Sequence, residues 1–130
     1  MKTVLVVDAS AGHVRQLSKV LHDHGYATMS RDGTDGLTDY VARHRPDLVV
    51  LDEFAPEFGG LVALRALSHD QRTRPIPVIM VASRAQAADK VRALWQGARE
   101  YLVKPVERRG FLALVDSLVE STVREDRLVV

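Results

Sequence analysis

Two aspartates and a lysine, far apart in a chain of 130 residues, share one local setting: each directly follows a short apolar run. Asp8 follows residues 4–7, Asp52 follows 48–51 and Lys104 follows 101–103. If these runs are neighbouring buried strands of one sheet, their charged ends meet at one edge. Gathered there, they suit phosphoryl chemistry, in which a carboxylate accepts the group and positive charge offsets the negative charge developing on its oxygens. Mg²⁺ prefers oxygen ligands and is content with one or two carboxylates and several waters. Asp8, Asp52 and a backbone carbonyl near Phe54 would serve it, and Lys104 would add a compact charge on a flexible stem. The same edge has two gaps. A fourth apolar run, 78–81, ends in Ala82, and Ala9 stands beside Asp8.

The elements that must position these residues can be read from periodicity. Strand-like runs alternate with helix-like spacing five times, the pattern of a parallel sheet covered by helices on both faces. A first helix is expected over about 12–24, with Ser10 as its cap, Val14, Leu17 and Leu21 on one face, and Gly25 as its stop. Residues 27–29 read as a second strand. Leu37, Tyr40 and Val41 mark a helix that must finish before Pro46, because the residue preceding proline disfavours helical geometry. After the strand 48–51, Leu61, Leu64 and Leu67 give a third helix, introduced by Gly59 and Gly60. The strand 78–81 leads to a fourth helix carrying Ala88, Val91, Leu94 and Trp95 and closed at Gly97. The strand 101–103 leads to a fifth carrying Phe111, Leu112, Val115, Leu118 and Val119. With strand order 2-1-3-4-5, Asp8 and Asp52 flank the point where the order reverses, the place where open parallel sheets bind ligands.

Composition narrows the function classes. At 46% hydrophobic and 27% charged, the chain is expected to form one ordinary domain with one core, over residues 1–122, leaving 123–130 as a tail or the start of a connector. The absence of cysteine excludes a disulfide framework and thiol catalysis. No signal peptide and no run of transmembrane length is visible, which makes a cytoplasmic location the default expectation. With 18 basic and 17 acidic residues, the totals support neither direct nucleic-acid binding nor membrane binding. The basic clusters at 43–45 and 108–109 read as solvated faces. The segment Asp8-Ala-Ser-Ala-Gly12 has one glycine and lacks both phosphate-loop fingerprints, which argues against a nucleotide-binding enzyme. His22 and His24 lie on different faces of the first helix and read as surface residues, His24 favourably placed near the helix C-terminus.

Taken in order, the pieces Val4-Leu-Val-Val-Asp8, Asp47-Leu-Val-Val-Leu-Asp52 with Pro56 and Gly60 following, Pro77-Val-Ile-Met-Val81, Gly97-Ala98 and Tyr101-Leu-Val-Lys-Pro105 resemble the receiver domain of bacterial two-component response regulators. The similarity runs from Val4 to about Val119. It implies a flavodoxin-like doubly wound (βα)5 fold of class α/β, and a domain that accepts a phosphoryl group on Asp52 from a histidine kinase or phosphotransfer protein. It further implies that Asp8 and Asp52 hold Mg²⁺ with the Phe54 carbonyl, that Lys104 contacts the phosphoryl group, and that the Lys104–Pro105 peptide is cis. Such a domain is not an enzyme beyond phosphorylating and dephosphorylating itself. Its downstream protein partner would meet the fourth helix, fifth strand and fifth helix, where Arg92, Trp95 and Tyr101 would contribute.

Against that family pattern the chain departs at defined positions. Ala9 replaces the second of two adjacent acidic residues, so Mg²⁺ binding is expected to be weak. Glu53 is expected to point away from the site, by strand alternation, and so not to replace it. Ala82 stands where the family places threonine or serine, leaving Tyr101, at the family's switch position, without its hydroxyl partner. Ser83 is a possible substitute, although Ser83-Arg-Ala-Gln86 fits a helix capping box better. Phe54 and Arg84 occupy positions that flank the phosphoryl group and set its lifetime. Leu94 and Trp95 are expected in the core and rim of the fourth helix. The alternative function is a pseudo-receiver, a protein interaction module that works without phosphorylation.

Overall fold

A computed structural model of the chain describes the backbone of residues 1–84 and 86–128, and side chains as far as Ser121. The elements follow one another as β1 (Thr3–Val7), α1 (Ala11–Asp23), β2 (Ala27–Arg31), α2 (Leu37–His44), β3 (Leu48–Asp52), α3 (Gly60–His69), β4 (Val78–Ala82), α4 (Ala87–Trp95), β5 (Glu100–Val103) and α5 (Arg108–Leu128). All strand pairs are parallel, in the order β2-β1-β3-β4-β5 expected from the sequence. The helical backbone of α5 continues into the segment read as a tail or connector, of which residues 129 and 130 lie outside the described residues.

Strand alternation divides the core. Val4, Val6, Leu48, Val50, Ile79 and Val81 face one cluster with Leu17 and Leu21 of α1 and Phe111, Val115 and Val119 of α5. Leu5, Val7, Val49, Leu51, Met80, Ala82 and Tyr101 face the other, with α2, α3 and α4. The central strands are therefore apolar on both faces, which explains why they read as continuous runs rather than alternating ones. Each fully buried Val or Leu contributes roughly 1.5–3 kcal/mol.

Local signals account for most boundaries. Ser10 caps α1, its hydroxyl accepting the His13 N–H at 3.2 Å, and Gly25 beyond the helix end adopts φ +99°. His24, read as a surface residue, is exposed, with Nε2 2.9 Å from Asp116 Oδ2. Gly60 starts α3 in direct contact with the end of β3. A Cβ there would lie 2.5 Å from the Asp52 carbonyl oxygen and 2.7 Å from the Glu53 Cα, so only glycine fits without moving backbone. The Lys104–Pro105 peptide is cis, as the family resemblance implied.

Two expectations for α4 are corrected. The N-cap is Gln86 with no side-chain cap bond, and the helix begins at Ala87, so the capping box from Ser83 does not form. Ala85 within that motif lies outside the described residues. Trp95, expected in the core or rim, is 85% exposed, and Leu94 is 40% exposed. The reason is geometric: α4 is short and buries only Ala93, and at 100° per residue Trp95 lies nearly opposite it.

Candidate functional site

At the carboxyl ends of β1, β3 and β5 the three charged residues singled out above come together. Asp8 and Asp52 are buried, 4% and 7% exposed. The Lys104 Nζ lies 3.1 Å from Asp8 Oδ2 and 3.6 Å from Asp52 Oδ1, so one ammonium serves two carboxylates. A residue the sequence reading missed completes the cluster. His13 Nδ1 is 2.5 Å from Asp8 Oδ2, and the side chain is 11% exposed. The signal for it was present, since a Ser10 cap fixes the first turn of α1 directly after Asp8 and brings the third helical residue back over that carboxylate. The Ser10 N–H donates to the other Asp8 oxygen, Oδ1, at 2.8 Å.

These contacts make the two carboxylates unequal. Burial works to raise the Asp8 carboxyl, but the Ser10 N–H, the His13 ring and Lys104 outweigh it and hold Asp8 below the ordinary range. Asp52 is pushed up, first by burial and then by the charge of Asp8, with Lys104 and the Phe54 N–H opposing. For stability the signs differ. The depressed Asp8 carboxyl adds stability that is present above its unfolded value and lost as pH falls through its folded one. The raised Asp52 carboxyl subtracts stability once both states are ionised, and that cost disappears on acidification. Asp52→Asn is accordingly expected to raise the thermal midpoint at pH 7. In parallel melts the gain over the parent should shrink from the raised Asp52 pKa down to the ordinary aspartate value near about 4; an equal gain at every pH would contradict the assignment.

The oxygen donors define what cation the site suits. Asp52 Oδ1 is buried and accepts no hydrogen bond, which leaves a lone pair open to a hard ion. Both Asp8 oxygens are already engaged, and Ala9 contributes no donor. Among the described residues no group of three or more His, Cys, Asp or Glu side chains is arranged to hold a metal. The donor set therefore fits Mg²⁺ only weakly, with Asp52 as the open ligand and Asp8 available once its partners shift. A cleft of about 560 Å³ opens beside Asp8 and Ala9, bordered by Arg15, Arg31 and Asp32.

The remaining residues from the sequence reading are not all at this cluster. Phe54, two residues after Asp52, is 54% exposed, and Ser83 and Arg84 are exposed in the bend after β4. Ala82 is fully buried, and its side chain belongs to the core cluster on the α3 and α4 side of the sheet. Tyr101 lies in that same cluster, its hydroxyl donating to Glu53 Oε2 at 3.1 Å. Glu53 makes no contact with Asp8 or Lys104, but it is buried rather than solvated, 5% exposed, a partner for Tyr101 that the sequence reading did not supply. No described helix is long and apolar enough to cross a membrane.

Comparison with known proteins agrees with this geometry. A family model described as the response regulator receiver domain matches residues 4–116. The protein PilH of Pseudomonas aeruginosa is 35% identical over 120 residues, covering 92% of this chain and 98% of PilH. The phosphate regulon transcriptional regulatory protein PhoB of the same organism is 29% identical over 121 residues, but the chain spans only 53% of PhoB's length. Among solved structures, a CheY-like response regulator receiver domain protein from Methanospirillum hungatei superposes with a TM-score of 0.87 at 22% identity, covering 96% of this chain and 98% of that one.

Proposed function

The chain belongs to the response regulator receiver family of two-component signalling, and from that premise we propose that Asp52 accepts a phosphoryl group from a histidine kinase or phosphotransfer protein. The observation that carries this reading is the position of Lys104, 3.6 Å from Asp52 Oδ1, a buried carboxylate oxygen that accepts no hydrogen bond. An Asp52 oxygen attacks the phosphorus in line while the bond from phosphorus to the donor imidazole nitrogen breaks, leaving an acyl phosphate and a free imidazole. Lys104 neutralises charge on the transferring oxygens. Asp8, fixed by Ser10 and His13, holds Lys104 over the site. Mg²⁺, bound weakly by Asp8, Asp52 and the Phe54 carbonyl, supplies further charge neutralisation when present.

On this reading the protein is a cytoplasmic signalling component and not an enzyme beyond its own phosphorylation and dephosphorylation. It has no direct role at nucleic acid or membrane. Its downstream protein partner meets the face made by α4, β5 and α5, where Val91, Trp95 and Val103 are exposed. Addition of Mg²⁺ and beryllofluoride should shift backbone NMR resonances around Asp52 and Lys104 in the parent and leave Asp52→Ala unmoved. Unchanged spectra at saturating Mg²⁺ would leave only the pseudo-receiver alternative.

Phe54 bears on how long the phosphoryl group survives. A large apolar ring beside the acyl phosphate excludes attacking water, so Phe54→Asn is expected to speed its loss. Decay followed by intact mass after donor removal checks this, and a variant no faster than the parent would contradict it.

A further inference from the structure

Glu53 is the buried charged group that phosphoryl transfer leaves unused. It follows Asp52 directly, and its N–H donates to the Val81 carbonyl at 2.8 Å, extending the β3–β4 pairing one step past Asp52. Alternation therefore turns its side chain away from Lys104 and toward the Tyr101 and Ala82 side of the sheet. There Oε2 accepts the Tyr101 hydroxyl at 3.1 Å, while Oε1 is buried with no partner. Ala82, whose methyl lies in the same core cluster as the Tyr101 ring, has no hydroxyl to compete for that bond. On the α4 side, the charges of Asp89 and Arg92 act on the same carboxylate.

We propose that Glu53 is a positioning residue that holds Tyr101 inward, as a hydrogen-bonded strut from the phosphoacceptor strand to β5, whether or not Asp52 carries a phosphoryl group. If the Tyr101 ring swung out, both oxygens of a buried carboxylate would lack partners. The cost of an orphaned buried acceptor favours the inward ring by on the order of tenfold to hundredfold. No anion on Asp52 is needed for this bias, because every group in it is already present in the chain. The α4–β5 face bearing Val91, Trp95 and Val103 is then held in one shape by the chain itself. The strut rests on the placement of Glu53 and Tyr101, not on phosphoryl acceptance by Asp52.

The test is NMR on protein carrying ¹³C-labelled tyrosine and alanine methyls, with the full chain free and with Mg²⁺ and beryllofluoride. In the free parent, nuclear Overhauser contacts should connect the Tyr101 ring to the Ala82 methyl, and they should persist unchanged with beryllofluoride. Glu53→Ala should weaken them and average the ring resonances, and Glu53→Gln, which keeps an acceptor oxygen, should restore them. Contacts missing from the free parent and gained only with beryllofluoride would overturn the strut, as would Glu53→Ala retaining the parent pattern. Should Glu53→Ala fail to fold, the parent measurement decides alone. The outcomes separate from those of phosphoryl acceptance: resonances near Asp52 that ignore beryllofluoride would sink that reading, while an inward Tyr101 in the same sample would still support the strut.

Discussion

Lys104→Ala is expected to slow phosphorylation of Asp52 by about a hundredfold or more, the usual scale for removing a preorganised charge from a site where negative charge develops. Among the described residues, the side chains that contact Asp8 and Asp52 within ion-pair distance are Lys104 and the His13 ring, and only Lys104 reaches both carboxylates. Its loss leaves two buried carboxylates facing each other with His13 on one side alone. Lys104→Arg should restore part of the rate, because the charge returns in a planar fork that cannot occupy the place of a compact ammonium. Initial rates of adduct formation, followed by intact mass at saturating Mg²⁺ and small phosphodonor, check both substitutions. Parent-like rates in Lys104→Ala would remove the lysine from the chemistry and leave it a purely structural ion pair.

Gly60→Ala is expected to destabilise the fold by about 3 kcal/mol, the upper part of the range for overpacking. The added methyl would meet main chain, the Asp52 carbonyl and Glu53 Cα, which no side-chain rotation can relieve. The thermal midpoint should fall by about 10 °C for a domain of this size. The damage should also reach the site, because the backbone forced to move carries Asp52 and the root of the Glu53–Tyr101 bond. Calorimetry of the variant beside Val62→Ala, a truncation at an exposed position of the same helix, separates the clash from a general sensitivity of α3. Equal midpoints for the two variants would show that the β3 end yields easily.

The parts legible in the sequence were those fixed by short-range rules. Apolar runs closed by Asp8, Asp52 and Lys104 marked strand ends, and a parallel sheet brings such ends together whatever the chain does between them. The Ser10 cap and the Gly25 stop bounded α1 for equally local reasons. What escaped depended on how the elements are placed against one another in space. His13 reaches Asp8 only because α1 starts immediately after β1 and turns back over it. Glu53 was rightly assigned away from the face of Asp52 and Lys104, but alternation says nothing of what fills the other side, and Tyr101 comes from 48 residues further along the chain. Trp95 looked like core by type. Its exposure follows from a helix that buries a single alanine, which apolar spacing cannot reveal. The start of α4 was misjudged because Ser83 and Gln86 satisfy a capping pattern, although Ser83 and Arg84 form a bend and the helix begins only at Ala87.

Phosphoryl acceptance by Asp52 is the centre of this account, and intact mass spectrometry after incubation with Mg²⁺ and a small phosphodonor tests it most directly. The account predicts one phosphoryl increment on the parent chain, located to Asp52 by peptide fragmentation and absent from Asp52→Ala. A parent chain that gains no increment at saturating Mg²⁺ would contradict it, as would an Asp52→Ala variant that gains the same increment.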